Sequence, residues 1–260
     1  MGEDQKPWRI DIIHEDDDLI AVVKPAGLPT ANAPRGRPSL YQILAERQGS
    51  RGFVGIVSRL DAPVSGLVVV AKTPAAAANL AGQFRERTVR KRYLAVVAGR
   101  FPAPLEQWAE WTDQVLRGAG ERSSVIVPSA DAPGPSQSRP VTPRAGQGSL
   151  PSSAGRRQSR GGDSEGGRGR RPEQHSAQEA ITRARVIRRA GEVSLVELEP
   201  LTGRRHQLRV QLACRGCPIV GDRQYGSRLP YSEPGGISLH AADLAFEHPA
   251  DGRHLRLAAP

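Results

Sequence analysis

From Ser129 to Ala177 the chain is written in Ser, Gly, Pro, Gln and Arg, with no aromatic residue and almost no large aliphatic one. Such a segment buries too little apolar surface to repay its ordering entropy, so it cannot belong to a core. The residues on either side must build the fold across it. Loop-closure entropy grows only logarithmically with length, so a long insertion is tolerated inside a domain. We therefore expect one domain over residues 1–260, interrupted by a disordered insertion at about 129–177.

The flanking sequence alternates strand and turn signals. "IDIIHEDDDLIAVVKP" predicts two short strands around the acidic turn Asp16-Asp17-Asp18, broken by Pro25 and Gly27. "SLYQILAER" reads as a short helix capped by Ser39, and Phe53–Val57 and Leu67–Ala71 as β-branched strands. Thr73-Pro74 supplies an N-cap and first helical position for an Ala-rich helix ending near Arg87. "KRYLAVVAG" is a further strand. "ITRARVIRRAGEVSLVELEP" is a hairpin turning at Ala190-Gly191-Glu192, and Asp251-Gly252 turns the last one. Many hairpins and few helices predict an α+β fold, with helices flanking a mostly antiparallel mixed sheet.

Charge narrows the partner. The chain carries 37 Lys and Arg against 27 Asp and Glu, a net +10. Arg outnumbers Lys 33 to four, a pattern codon bias explains, but bias does not explain the excess of bases over acids. A polyanion is the expected partner, nucleic acid ahead of an anionic membrane surface. The insertion holds eight Arg and four acids, so the flanking parts keep +6 of the net charge. It reads either as a solvated spacer or as an RNA-binding arm, and a deletion that flattens the salt dependence of binding distinguishes the arm.

Two cysteines give no disulfide framework, and no apolar leader follows Met1, which predicts a reduced, cytoplasmic setting. No apolar run approaches the roughly 20 residues that span a bilayer. Cys214 and Cys217 close a helical pattern and lack two further ligands, so no metal is expected there. The absence of a heptad or a long apolar edge predicts a monomer with no protein partner.

Three places could carry chemistry. Arg59 and Asp61 stand between two apolar runs in "GIVSRLDAPVSGLVVVAKT", two residues apart and so on one side of the chain if the strand continues. Spacing alone is equally consistent with a local ion pair or a turn cap. "LTGRRHQLRVQLACRG" reads as a helix opened by Thr202 and Gly203, with Arg204, Arg205 and His206 in its first turn. The positive end of the helix dipole disfavours cations there unless an anion sits nearby. Leu208 and Leu212 share a face of that helix, and Arg209, about 100° round, could reach Asp61. In "RKRYLAVVAG" the bases Arg90, Lys91 and Arg92 precede Tyr93, either a core tyrosine beside a solvated charge run or a stacking platform for single-stranded RNA.

Together, "SRLDAPVSGLVVVAKT", "RKRYLAVVAG", "TGRRHQLRVQLACRGCPIVGDRQYG" and "LHAADLAFEHP" resemble the RluA family of RNA pseudouridine synthases, in that family's order, and "EDDDLIAVVKPAGLPT" resembles its opening hairpin. The resemblance implies isomerisation of uridine in rRNA or tRNA to pseudouridine, without cofactor or metal, in a central cleft that receives a flipped-out base. Asp61 matches the catalytic aspartate, Arg209 the arginine paired to it, and Tyr93 the tyrosine packed on the uracil. Arg59 matches the arginine that enters the RNA stack where the base has left, and Leu208 an apolar wall of the base pocket. Lys91, Arg204 and His206 complete the expected substrate-binding set. A carboxylate that must stay ionised in a desolvating cleft needs a neighbouring cation, the role the resemblance assigns to Arg209.

The sequence departs from the family pattern at Ser58 and Gln211, where histidine is usual, and at Val64 and Arg205, where threonine is usual. No S4-type RNA-binding module is expected before the matched region. These departures keep open a second reading, an RNA-binding chaperone that retains the fold without catalysis. A carboxylate-pair glycosidase fits less well, because no second acid stands in a matched motif.

Overall fold

A computed structural model describes residues 8–50, 52–102, 105–117, 124–127 and 176–260. The tract expected to be a disordered insertion lies, up to residue 175, outside the described residues. In chain order the elements are β1 (Asp11–Glu15), β2 (Leu19–Lys24), α1 (Leu40–Gln48), β3 (Gly55–Ile56), β4 (Ser65–Ala71) and α2 (Pro74–Glu86). There follow β5 (Arg90–Ala98), β6 (Ala109–Arg117), β7 (Ser124–Val127), β8 (Gln178–Ala190), β9 (Val193–Pro200) and α3 (Gln207–Cys214). A 3-10 turn at Arg223–Tyr225, β10 (Leu239–Glu247) and β11 (His254–Ala258) complete the chain. The strands form one sheet in the order β1-β2-β4-β10-β5-β9-β8-β6-β7, with β3 beside β4 and β11 beside β10.

Local chemistry starts both N-terminal helices. Ser39 caps α1 in a capping box with Gln42, and Thr73 Oγ1 accepts from the Ala76 N–H at 3.1 Å with Pro74 next in line. α1 buries Leu40 and Leu44 on one face of β2 and β4, against Ile20, Val22, Val68 and Val70. α2 buries Ala76 and Leu80 on the opposite face, against Leu19, Ala21, Leu67 and Val69. β2 and β4 are therefore buried on both faces, which is why they read as continuous apolar runs. α3 lays Leu208 and Leu212 on the sheet's other half, against Ala95, Val97, Val186, Val196 and Leu198.

The two halves meet at one seam. Of the paired named strands only β4 and β10 run parallel, and they pair at just two positions, Ser65 with His240 and Gly66 with Ala241. Gly66 has φ +116, and a Cβ there would collide with the Ala241 backbone, so glycine is required for the strands to approach. β10 passes the row on to β5, where Ala241 faces Tyr93. Gly66, Ala241 and Tyr93 thus stand side by side across the middle of the sheet.

Two expectations are corrected. α3 begins at Gln207, not at Thr202, so Arg204, Arg205 and His206 precede the helix instead of forming its first turn. The cause is the Gln207 side chain. Its Oε1 accepts from the Arg204 N–H and Thr202 Oγ1, while its Nε2 donates to the Ile181 carbonyl and Thr182 Oγ1, and these bonds hold 202–206 in an irregular path. Likewise β3 ends at Ile56, so Arg59 and Asp61 lie on the loop between β3 and β4 and strand parity does not govern them. Trp111, Asp113 and Val115 of β6 alternate too weakly with polar neighbours to announce the strand, and β7 is equally silent in the sequence.

Candidate active site

The loop leading into the seam is tied down carbonyl by carbonyl. Leu60 O accepts from Thr30 Oγ1 at 2.8 Å, Asp61 O from the Val64 N–H at 3.0 Å, and Pro63 O from the Ile237 N–H at 3.0 Å. Ala62 O accepts twice, from the Gly27 N–H at 2.8 Å and from Lys24 Nζ at 3.1 Å. Lys24 is fully buried and also donates to Pro25 O and Leu28 O. Burial pulls its ammonium down to about 7, opposed by the charge of Asp61. The segment "KPAGLPT", an interrupted strand in the sequence, is the clamp that holds the Asp61 backbone. A rigid backbone fixes a reacting side chain without reorganisation during the reaction.

Asp61 faces Arg209. Arg209 Nη1 donates to Asp61 Oδ2 at 3.1 Å. The same guanidinium is held by Asp222 in a two-pronged contact, Nε to Oδ2 at 2.7 Å and Nη2 to Oδ1 at 2.9 Å, and Nη2 also donates to Gln224 Oε1. Its carbon lies 5.0 Å from the centre of the Tyr225 ring. Burial opposes the arginine's charge, but Asp222 first and Asp61 second outweigh it, so its pKa lies above the ordinary arginine value. Arg209 therefore remains a permanent cation beside Asp61, bolted in place by a carboxylate that never meets the cleft. Asp222 and Tyr225 belong to "GDRQYG", where their types gave no warning that a buried aspartate would orient the arginine.

All eight expected residues line one cleft of about 500 Å³: Arg59, Asp61, Lys91, Tyr93, Arg204, His206, Leu208 and Arg209. Tyr93 is half-buried on β5, and burial first, then the Asp61 carboxylate, raises its phenol above the ordinary value. Leu208 and Val64 form an apolar wall continuous with the core under α3. Arg59 is exposed at the rim and, among the described residues, pairs with no carboxylate. Lys91 likewise has no acidic partner among them, and burial, then Arg87, lowers its pKa. Arg204 Nε donates to the Glu179 carbonyl. His206 Nε2 stands 3.6 Å from Asp61 Oδ2. Gln211 does not reach the cleft lining. It is buried on Thr182, Asp113 and Ala180.

A carboxylate fixed on a clamped loop, a permanent cation on one of its oxygens, a tyrosine at the sheet's centre and a cationic rim thus share one cleft. A family profile described as RNA pseudouridylate synthase matches residues 18–214. The chain belongs to the RNA pseudouridylate synthase family. It is 29% identical over 254 residues to the ribosomal large subunit pseudouridine synthase C of Vibrio cholerae, covering 96% of this chain and 65% of that protein. It is 32% identical over 265 residues to an uncharacterized RNA pseudouridine synthase of Synechocystis, with the same coverage of both chains. The chain thus spans just under two thirds of the length of these relatives. In structure it resembles human RNA pseudouridylate synthase domain containing 4, with a TM-score of 0.64 at 24% identity over 96% of this chain and 88% of that one. Human domain containing 1 superposes with a TM-score of 0.65 at 24% identity, over 100% and 86%. These neighbours share the mixed central sheet. Among the described residues no helix is long and apolar enough to cross a membrane.

Proposed function

We propose that this protein isomerises uridine in RNA to pseudouridine, with Asp61 as the reacting carboxylate. The observation that carries this reading is the meeting of Asp61, Arg209 and Tyr93 in one cleft, from three sequence regions far apart. In the reaction the bond from C1′ to uracil N1 breaks, a bond from C1′ to C5 forms, and the C5 proton is replaced by one on N1. Asp61 attacks C1′, or removes the 2′ proton to give a glycal, and in either route its charge must survive in the half-dry cleft. Arg209 supplies that stabilisation. Tyr93 and Leu208 bracket the detached uracil while it turns, and the raised pKa of Tyr93 keeps its hydroxyl protonated as a hydrogen-bond donor. The substrate's own atoms suffice for the chemistry, so the reaction uses no cofactor and no metal.

RNA is held by its phosphates. Arg59, Lys91 and Arg204 offer cations at the cleft, and Arg59, exposed and without a carboxylate partner, takes the place of the extruded base in the stack. The target is a uridine of rRNA or tRNA. The names of the Vibrio relatives make large-subunit rRNA the first substrate to try. The protein works as a monomer in the cytoplasm, on RNA alone. Purified protein incubated with unmodified rRNA and tRNA, followed by site-resolved pseudouridine mapping, tests the reading. Product with wild type and none with Asp61→Ala supports it. RNA binding without product from either protein refutes it in favour of the chaperone reading.

A further inference from the structure

Ser124, Tyr225 and His206 form a hydrogen-bonded chain whose far end, His206 Nε2, stands 3.6 Å from Asp61 Oδ2. The Ser124 backbone N–H lies 2.8 Å from Tyr225 Oη, and a backbone N–H can only donate. Tyr225 is 2% exposed, and among the described residues its hydroxyl has one other partner, His206 Nδ1 at 2.8 Å. If Nδ1 carried the imidazole proton, the phenol hydrogen would be buried with no acceptor, which carries the full desolvation penalty of an unsatisfied donor. The phenol therefore donates to Nδ1, and the proton of the neutral ring sits on Nε2. The ring is fixed as well as its tautomer, because it packs edge-on to Tyr225 at 90° and 5.8 Å. Its backbone adopts φ 53, the left-handed region, immediately before α3.

Nε2 faces Asp61 Oδ2 at 3.6 Å, the oxygen that Arg209 already holds at 3.1 Å. Asp61 Oδ1 accepts no hydrogen bond among the described residues. The charged and titratable groups around the imidazole are Asp61 from the β3–β4 loop, Arg209 on α3, Arg205 beside it and Asp222 with Tyr225 from the 3-10 segment. Burial, the largest influence, favours the neutral ring, as do Arg209 and Arg205, while Asp61 and Asp222 oppose.

We propose that His206 is a positioning residue for Asp61: the Ser124–Tyr225 chain locks its proton on Nε2, Nε2–H joins Arg209 on Oδ2, and Oδ1 is left as the oxygen that meets the ribose. The opposite tautomer would aim a lone pair at the carboxylate and push it out of line. Active-site hydrogen bonds are often long in the free enzyme and tighten once substrate excludes water, so the 3.6 Å separation closes in the occupied cleft. What Oδ1 does rests on the pseudouridine synthase reading. The tautomer lock does not.

Imidazole nitrogen NMR on the full-length protein tests the lock without a variant. The expected result for His206 is the two-bond 15N–1H correlation pattern of a neutral Nε2–H ring, assigned by its loss in His206→Gln. Tyr225→Phe is expected to turn it into a mixture of tautomers. An Nδ1–H pattern in the wild type overturns the proposal. In kinetics, His206→Ala should lower kcat by about tenfold to a hundredfold, the loss of one charge-assisted hydrogen bond, with KM within about twofold. His206→Gln, whose amide nitrogen can donate from the same place, should recover most of it. A rise in KM at unchanged kcat would make His206 a substrate contact and refute the positioning role. Wild type that makes no pseudouridine would sink the functional reading, while the NMR pattern would still decide the lock.

Discussion

Two aspartates in this protein, Asp16 and Asp61, each sit between histidine and arginine, yet their surroundings differ in completeness. Asp16 Oδ1 accepts from the backbone N–H groups of Asp18 and Leu19, both at 2.9 Å, and its Oδ2 meets His14 at 2.8 Å and His248 at 3.0 Å. Burial works against the Asp16 charge, but the Leu19 N–H, His14, the Asp18 N–H and His248 outweigh it and hold the carboxyl well below the usual range. Among the described residues Asp61 accepts a hydrogen bond on one oxygen only, from Arg209. A saturated carboxylate joins β1, β2 and the end of β10, whereas a half-satisfied one on a clamped loop keeps an oxygen open to the cleft, as the proposed reaction requires. The difference is in the number of donors, not in charge or burial.

The comparison breaks if Asp61 proves structural. Asp61→Asn should remove product formation by a factor on the order of 10⁴ or more while RNA binding and thermal stability stay close to wild type. Mapping of pseudouridine together with a melting curve checks both halves. A fully active Asp61→Asn would end the catalytic role given to Asp61.

Next in size is Arg209→Met. It leaves Asp222, 1% exposed, as a buried charge without its partner, and removal of one member of a buried pair costs about 3–5 kcal/mol. A fall in Tm on the order of 10 °C is expected, with loss of activity. Because the contact to Asp222 is two-pronged, Arg209→Lys should rescue neither fully.

Asp16→Asn sharpens the contrast from the other side. Chemical denaturation should show a loss of about 2 kcal/mol with kcat unchanged, since several part-buried donors lose a charged acceptor. The pH dependence carries the sign. The folded-state pKa lies below the unfolded value near 3.8, so the unfolded chain binds more protons as the solution is acidified. The stability Asp16 contributes is thus present above about pH 4 and lost progressively below it. The variant should lose less stability than wild type over that acid range.

The smallest effect belongs to the rim. Arg59→Ala should leave stability within about 0.5 kcal/mol, as expected for an exposed side chain without an ion-pair partner. It should weaken RNA binding, and if the guanidinium meets a phosphate, the log–log salt slope falls by about one. An unchanged slope with reduced kcat/KM points instead to its place in the stack.

Local signals carried much of the fold. Ser39 and Thr73-Pro74 start helices through contacts within three residues, and the apolar runs of β2 and β4 declare themselves because α1 and α2 cover both faces. The eight candidate residues converge on one cleft because a run of ordered motifs specifies a whole arrangement where single residues do not. Less was legible where distant groups decide. Gln207 delays α3 by bonding to Ile181 and Thr182, residues more than twenty positions away, and β6 gains its identity by pairing with β7 and, across the tract expected to be an insertion, with β8.

By itself, then, the order of residues determined where most strands and helices arise, and that a carboxylate, an arginine and a tyrosine are candidates for one task. Only the tertiary structure decided that Asp222 orients Arg209, that Lys24 and Thr30 immobilise the Asp61 backbone, and that Tyr225 sets the proton of His206. The physical reason is range: capping and periodicity act over a few residues, whereas the donors around a buried carboxylate are recruited from wherever the sheet brings them within 3 Å.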